Sequence, residues 1–128
     1  MKATREHRVP LSLQAVELLR TQEAAREELV EHVFPSNRKG SLSDMAFTAL
    51  MRRHELGAVP HGFRSTFRDW AGEMTNHPRD AVELCLAHTI DTKTEAAYRR
   101  GDMLEKRAAI MQEWADYAAP IAHKKSAK

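Results

Sequence analysis

Between Ser12 and Pro120 the apolar residues return every three or four positions, and the runs are cut at short intervals by Pro, Gly and Asn. Apolar residues at that spacing line one side of a helix, whereas a strand needs alternation. Ser12 is placed to cap a first helix that carries Val16 and Leu19 and runs to about Ala25. From Leu29 to Phe34 the pattern fits either an extension of that helix or a short extended piece. Pro35 to Gly40 is a loop by its turn residues. Ser41 is expected to cap a second helix, with Leu42, Met45, Ala46, Ala49 and Leu50 as its buried face. A third helix starts at His61 or Gly62, with Phe63, Phe67, Trp70, Ala71 and Met74 as its stripe. Pro78 suits the first turn of a fourth, short helix holding Ala81, Val82, Cys85 and Leu86. A polar link, Thr89 to Thr92, leads to a short helix holding Tyr98. After Gly101-Asp102 a last helix places Leu104, Ala108, Met111, Trp114, Ala115 and Ala118 on one face, and Pro120 ends it. The expected fold is mainly α, a compact bundle of five or six helices. Residues 1–11, ending Val9-Pro10-Leu11, read as one arm of a β-hairpin, a short N-terminal β-arm.

Several function classes drop out on composition. The 128 residues allow one domain with a real core and not two ordinary ones. No apolar run approaches the roughly 20 residues of a membrane-spanning helix. No secretory signal is visible, so the expected location is the cytoplasm. The single cysteine, Cys85, excludes an internal disulfide framework and a Cys-based zinc site. It lies on an apolar helical face and reads as an inert buried thiol. His7, His32, His54, His77 and His123 lack metal-ligand spacing. Net charge is only +2, but basic residues gather locally: Lys2, Arg5 and Arg8; then Lys93, Arg99, Arg100, Lys106 and Arg107; then the tail from His123 to Lys128. Such patches either hold a polyanion or are solvated helix faces.

Three groups of residues could carry chemistry. His61 and Arg64 are one helical turn apart and point the same way. They sit at a helix start, where free backbone N–H groups and the positive dipole end favour an anion. Arg64 supplies a planar, permanently charged fork that fits phosphate oxygens, and His61 moves a proton near neutral pH. Alone, such a pair arises by chance in an Arg-rich chain. His88 closes the fourth helix, and Tyr98 follows it ten residues later. A tyrosine acts as a covalent nucleophile when positioned and activated, and is otherwise a core or rim residue. Tyr117, in the amphipathic last helix, reads as structural. Lys2, taken alone, is a solvated charge.

Taken together, these residues resemble the tyrosine recombinase (phage integrase) family, and within it the integrases of satellite phages and genomic islands. His61-Gly62-Phe63-Arg64-Ser65-Thr66-Phe67-Arg68-Asp69-Trp70 looks like the family's H-x-x-R segment. Leu86-Ala87-His88, followed by Ala97-Tyr98-Arg99-Arg100, looks like its nucleophile segment. His7-Arg8-Val9-Pro10-Leu11-Ser12 resembles the exit of its β-hairpin. Phe34-Pro35-Ser36 and Met111-Gln112-Glu113-Trp114-Ala115 match subgroup habits. The resemblance covers almost the whole chain.

The resemblance implies roles. Tyr98 would attack the scissile phosphate of a double-stranded DNA attachment site and form a 3′-phosphotyrosyl link. Arg64 would hold non-bridging oxygens, His61 would assist proton transfer and His88 would hydrogen-bond the phosphate. Lys2, eight residues before Pro10, lies where the family's leaving-group lysine belongs. Neither a nucleotide cofactor nor a metal is implied. The family's other phosphate-clamping arginine lies upstream of that lysine, and this sequence starts too late to include it. The chain is thus expected to be the C-terminal part of a catalytic domain, with a hairpin arm at 1–11, a helical core at 12–100 and a C-terminal helix and basic tail at 101–128. By itself it is expected to have little or no strand-cleavage activity. Two other classes remain open: a helical DNA-binding or regulatory module without chemistry, and a protein–protein module. The last helix is equally suited to pack on its own domain or to dock on another protomer.

Overall fold

The chain is described by a computed structural model, which covers residues 7–26, 30–37, 40–88 and 101–120. Five helices occur among these residues: α1 (Leu13–Ala24), α2 (Ala46–Arg53), α3 (Gly62–Met74), α4 (Arg79–Cys85) and α5 (Leu104–Ala118). The mainly α class stands. No strand occurs among the described residues; 7–12 have no regular structure, and the rest of the expected hairpin arm, residues 1–6, lies outside them. The expected helix around Tyr98 also lies outside them.

Local chemistry sets the helix ends. Ser12 is the N-cap of α1, its hydroxyl accepting the Ala15 N–H at 3.2 Å. The next unpaired donor, the Leu13 N–H, goes to the Gln112 side chain at 2.9 Å, tying α1 to α5. Pro78 is the N-cap of α4. Asp102 accepts the Leu104 N–H at the start of α5. Ser41 does not cap α2, which starts at Ala46 after a turn at 44–45 and has no side-chain cap.

The core lies where α3, α4 and α5 meet. It contains Phe67, Trp70 and Ala71 of α3, Ala81 and Val82 of α4, and Ile110 of α5, with Cys85, Leu86, Met103, Met111 and Trp114 packed around it. Phe67 and Trp114 meet edge to face at 5.5 Å, and Trp70 lies 5.2 Å from Trp114, spacings at which aromatic pairs attract beyond their buried area. The expected stripes need correction at their flanks. Phe63 and Met74 of α3 are exposed, because the helix presents only its 67–70–71 side to α4 and α5. Of the stripe expected for α2, Leu42 and Met45 fall before the helix and are exposed, as is Leu50, and the buried residue is Met51. In α5 the buried positions are Arg107 and Ile110, while Ala108 and Ala118 face solvent.

Arg107 departs most from a solvated helix face. Its side chain is 1% exposed. Its Nη2 donates to the Arg8 carbonyl at 2.6 Å and its Nη1 to the Asp102 carbonyl at 3.3 Å. Arg8 in turn bonds the Asp102 carboxylate at 2.9 Å. One buried guanidinium therefore ties the entry to α1 to the entry to α5: carbonyls accept from its Nη1 and Nη2, while its Nε is buried without a hydrogen-bond partner among the described residues.

Ile110 is fully buried, so Ile110→Ala is expected to lower the unfolding free energy by about 2–5 kcal/mol. Leu18→Ala, at a position 55% exposed, is expected to change it by no more than about 0.5 kcal/mol. Urea unfolding followed by circular dichroism checks both.

Candidate functional site

The α3 and α4 segments bring together two of the five residues singled out in the sequence, Arg64 and His88, with a third, His61, one helical turn before Arg64. His61 is the exposed N-cap residue of α3. Arg64 lies one turn on, half-buried, and reaches the C-terminal end of α4. There its Nη2 donates to the Leu86 carbonyl and lies 2.8 Å from His88 Nε2. Tyr98 and Lys2 lie outside the described residues.

The helix start contributes less than expected. The N–H groups of Gly62, Phe63 and Arg64 are already bonded to the carbonyls of Val59, Pro60 and His61. They are not free for an anion. The side chains carry the positive character of this corner.

The end of α4 positions His88. Leu86 is the C-cap, and Ala87 follows in the left-handed conformation with φ 54°. The Ala87 N–H bonds the Leu84 carbonyl at 3.2 Å, and the His88 N–H bonds the Glu83 carbonyl at 3.1 Å. This pair of bonds turns the chain back on the helix it has just left. His88 is thereby returned over Glu83, and its Nδ1 lies 2.6 Å from Glu83 Oε2. Glycine is the usual residue at the left-handed position; an L side chain there costs about 1–2 kcal/mol. The chain holds local strain next to His88.

Glu83 was not among the residues read from sequence. Its side chain is only 13% exposed and it also faces Arg68, with Nη2–Oε1 at 2.9 Å. That contact is a charge pairing without hydrogen-bond alignment, since Oε1 has no hydrogen-bond partner. The hydrogen bond from His88, then the charges of Arg68, His88 and Arg79, hold the Glu83 carboxyl below its ordinary value against the opposing effect of burial. The sequence has no obvious signal for it. A contact from position 83 to 88 is not a helical spacing and arises only because Ala87 reverses the chain.

Both Arg64 contacts use Nη2. Among the described residues no hydrogen bond engages its Nε or Nη1, the two other corners of the fork. The corner therefore has two guanidinium nitrogens without a hydrogen bond among the described residues, a histidine beside them, a second histidine one turn before Arg64 and a largely buried carboxylate behind. Side chains of these types are the ones that can hold an anion and exchange a proton. Two other sequence features behave structurally. Tyr117 leans on Trp70 at 6.0 Å and Trp114 at 5.9 Å, and burial pushes the Cys85 thiol up, away from the reactive thiolate. No three His, Cys, Asp or Glu side chains among the described residues converge to hold a metal ion. No helix among the described residues is long and apolar enough to cross a membrane. A cavity of about 350 Å³ lies along α1, lined by Val16, Leu19 and Val33 among others, away from this chemistry.

Sequence comparison places the chain among integrases. It is 36% identical over 123 residues to the prophage integrase IntA of Escherichia coli K12, matching 91% of this chain and 29% of that protein. It is 37% identical over 119 residues to the prophage integrase IntZ of the same organism, again matching 91% of this chain and 29% of the relative. The integrase of Shigella phage Sf6 is 32% identical over 121 residues, matching 91% of this chain and 31% of that protein. The chain thus spans less than a third of the length of these relatives. No protein-family model and no solved structure matches it.

Two outcomes follow from the α4 terminus. Ala87→Gly is expected to raise stability by about 1 kcal/mol by relieving the left-handed alanine, read by urea unfolding. Glu83 has a folded pKa below its unfolded value of 4.5. Its contribution is therefore complete above that value and fades as the pH falls through the lower, folded one. Unfolding measured from neutral to acid pH should show a shallower acid-side loss in Glu83→Gln than in the wild type.

Proposed function

Because the chain is a member of the phage integrase family, we propose that it serves site-specific recombination of DNA by strand cleavage and rejoining through a phosphotyrosine. Tyr98 is the nucleophile. Its oxygen forms a bond to the scissile phosphorus, and the bond from phosphorus to the 5′ oxygen breaks. The leaving 5′ oxygen takes a proton from Lys2 to become a hydroxyl, and the Tyr98 phenol proton leaves with the assistance of His61. Rejoining is the reverse, with the 5′-hydroxyl of the new strand as attacker. Bond energy is held in the 3′-phosphotyrosine, so the reaction as proposed uses no nucleotide cofactor and no metal.

The α3–α4 corner grips the phosphate in this reading. Arg64 offers Nε and Nη1 to two non-bridging oxygens and offsets charge in the transition state. His88 bonds a third position and His61 assists proton transfer. The observation that carries the reading is the meeting of Arg64 and His88 at 2.8 Å from positions 24 residues apart, with no hydrogen bond from the rest of the Arg64 fork among the described residues. An H-x-x-R helix and a histidine at the next helix end have no structural need to converge on an open corner.

The domain reading belongs to the same proposal: a hairpin arm at 1–11, a core with the site at 12–100, and a C-terminal helix and tail at 101–128, forming the C-terminal part of an integrase catalytic domain. The partners are a duplex attachment site and other protomers on that DNA. One preorganised phosphate-binding donor is worth about a hundred- to a thousandfold in rate, which sets the size of the effect proposed for Arg64.

The test uses a nicked duplex carrying an attachment site and a label, with protein–DNA adducts read after denaturation. A weak adduct is expected from the wild type. Tyr98→Phe should abolish it while leaving DNA binding nearly unchanged, and Arg64→Ala should lower it by about a hundred- to a thousandfold. An adduct that survives in Tyr98→Phe would sink the phosphotyrosine mechanism. Binding without any adduct in any variant would favour a non-catalytic DNA-binding module.

A further inference from the structure

His88 is held between two partners whose chemistry leaves it one protonation pattern. On one side lies Arg64 Nη2, at 2.8 Å from Nε2. A guanidinium has donors and no acceptor, so Nε2 must be the accepting, unprotonated nitrogen. On the other side lies Glu83 Oε2, at 2.6 Å from Nδ1. An ionised carboxylate only accepts, so the ring proton must sit on Nδ1. Free histidine carries no such constraint.

Glu83 is equipped for this. Its backbone carbonyl holds the His88 N–H and its side chain holds the His88 ring. Arg68 faces its second oxygen, fixing the carboxylate from the α3 side. The charged and titratable groups around the ring are Arg64 and Arg68 from α3, with His61 one turn before Arg64, and Glu83 and Arg79 from α4.

We propose that Glu83 is a positioning residue that locks His88 as the Nδ1–H form and supplies the counter-charge that lets its Nε2 take up a proton when a phosphate oxygen displaces the Arg64 N–H. In that exchange the Arg64 Nη2–H to Nε2 bond breaks. A proton from solvent adds to Nε2, and Nε2–H donates to the phosphate oxygen, while Nδ1–H stays on Glu83. Phosphate binding at this corner is therefore coupled to gain of one proton by His88. This rests on the phosphate reading of the site given above, but the lock itself is a property of the free chain.

The test is nitrogen-15 NMR of the histidine rings in the full chain, with His88 assigned by its loss in His88→Gln. The free wild type at neutral pH should show protonated Nδ1 and unprotonated Nε2. Glu83→Ala should lose that preference, and Glu83→Gln, which keeps an accepting oxygen without charge, should keep it. A short DNA duplex should move the wild-type Nε2 signal toward the protonated position. The same duplex should move it less in Glu83→Gln, with the difference recovered on lowering the pH. A wild-type ring protonated on Nε2 alone, or a tautomer unchanged in a folded Glu83→Ala, would overturn the proposal. The expected tautomers together with no response of Nε2 to duplex or inorganic phosphate would support the lock and refute the phosphate reading it serves.

Discussion

Phe67, Trp70 and Trp114 stand within 6 Å of one another, ring to ring, and this seam fixes which way α3 faces. With Phe67, Trp70 and Ala71 turned to the core, Arg64 and Arg68 fall on the flank that meets the end of α4. Ala81 and Val82 dock α4 on the same core and so set where that end lies. Neither arginine has to be steered by its own contacts. The core seats the helix, and the helical period delivers the side chains.

The corner then works by opposition of charge. Two arginines close together repel, and the carboxylate of Glu83 offsets that repulsion. Glu83 serves both Arg68 and His88. The strained Ala87 is what makes this geometry: without the left-handed turn His88 would not come back over its own helix. Local strain held next to a site is a common sign that the backbone has been shaped for something other than stability. A second polar device, buried Arg107, holds the segments leading into α1 and α5 together.

Much of this was legible in the sequence and some was not, for identifiable reasons. Ser12, Pro78 and Pro120 mark helix ends by local chemistry, and local chemistry survives folding. The Phe67–Trp70–Ala71 stripe was legible because three adjacent large or close-packing residues leave a helix few ways to turn. The stripe on α2 failed because an amphipathic face reports a propensity to be covered, not what covers it; Met45 and Leu50 are exposed here. Arg107 was misread because charge alone says nothing about whether carbonyls wait to receive it. At the site, Arg64 and His88 were found from residue type and order. Glu83 was missed because its contact depends on a backbone reversal at an alanine, where sequence gives no warning.

The central claim is that the α3–α4 corner grips a DNA phosphate through Arg64. The most direct measurement is the affinity of the chain for duplex DNA across a salt series, for the wild type and for Arg64→Ala shown to be folded by circular dichroism. Arg64→Ala is expected to bind at least about tenfold more weakly, with the slope of log affinity against log salt reduced by about one unit. Equal affinity and an equal slope would contradict it, and the phosphate would then have to be held elsewhere on the molecule.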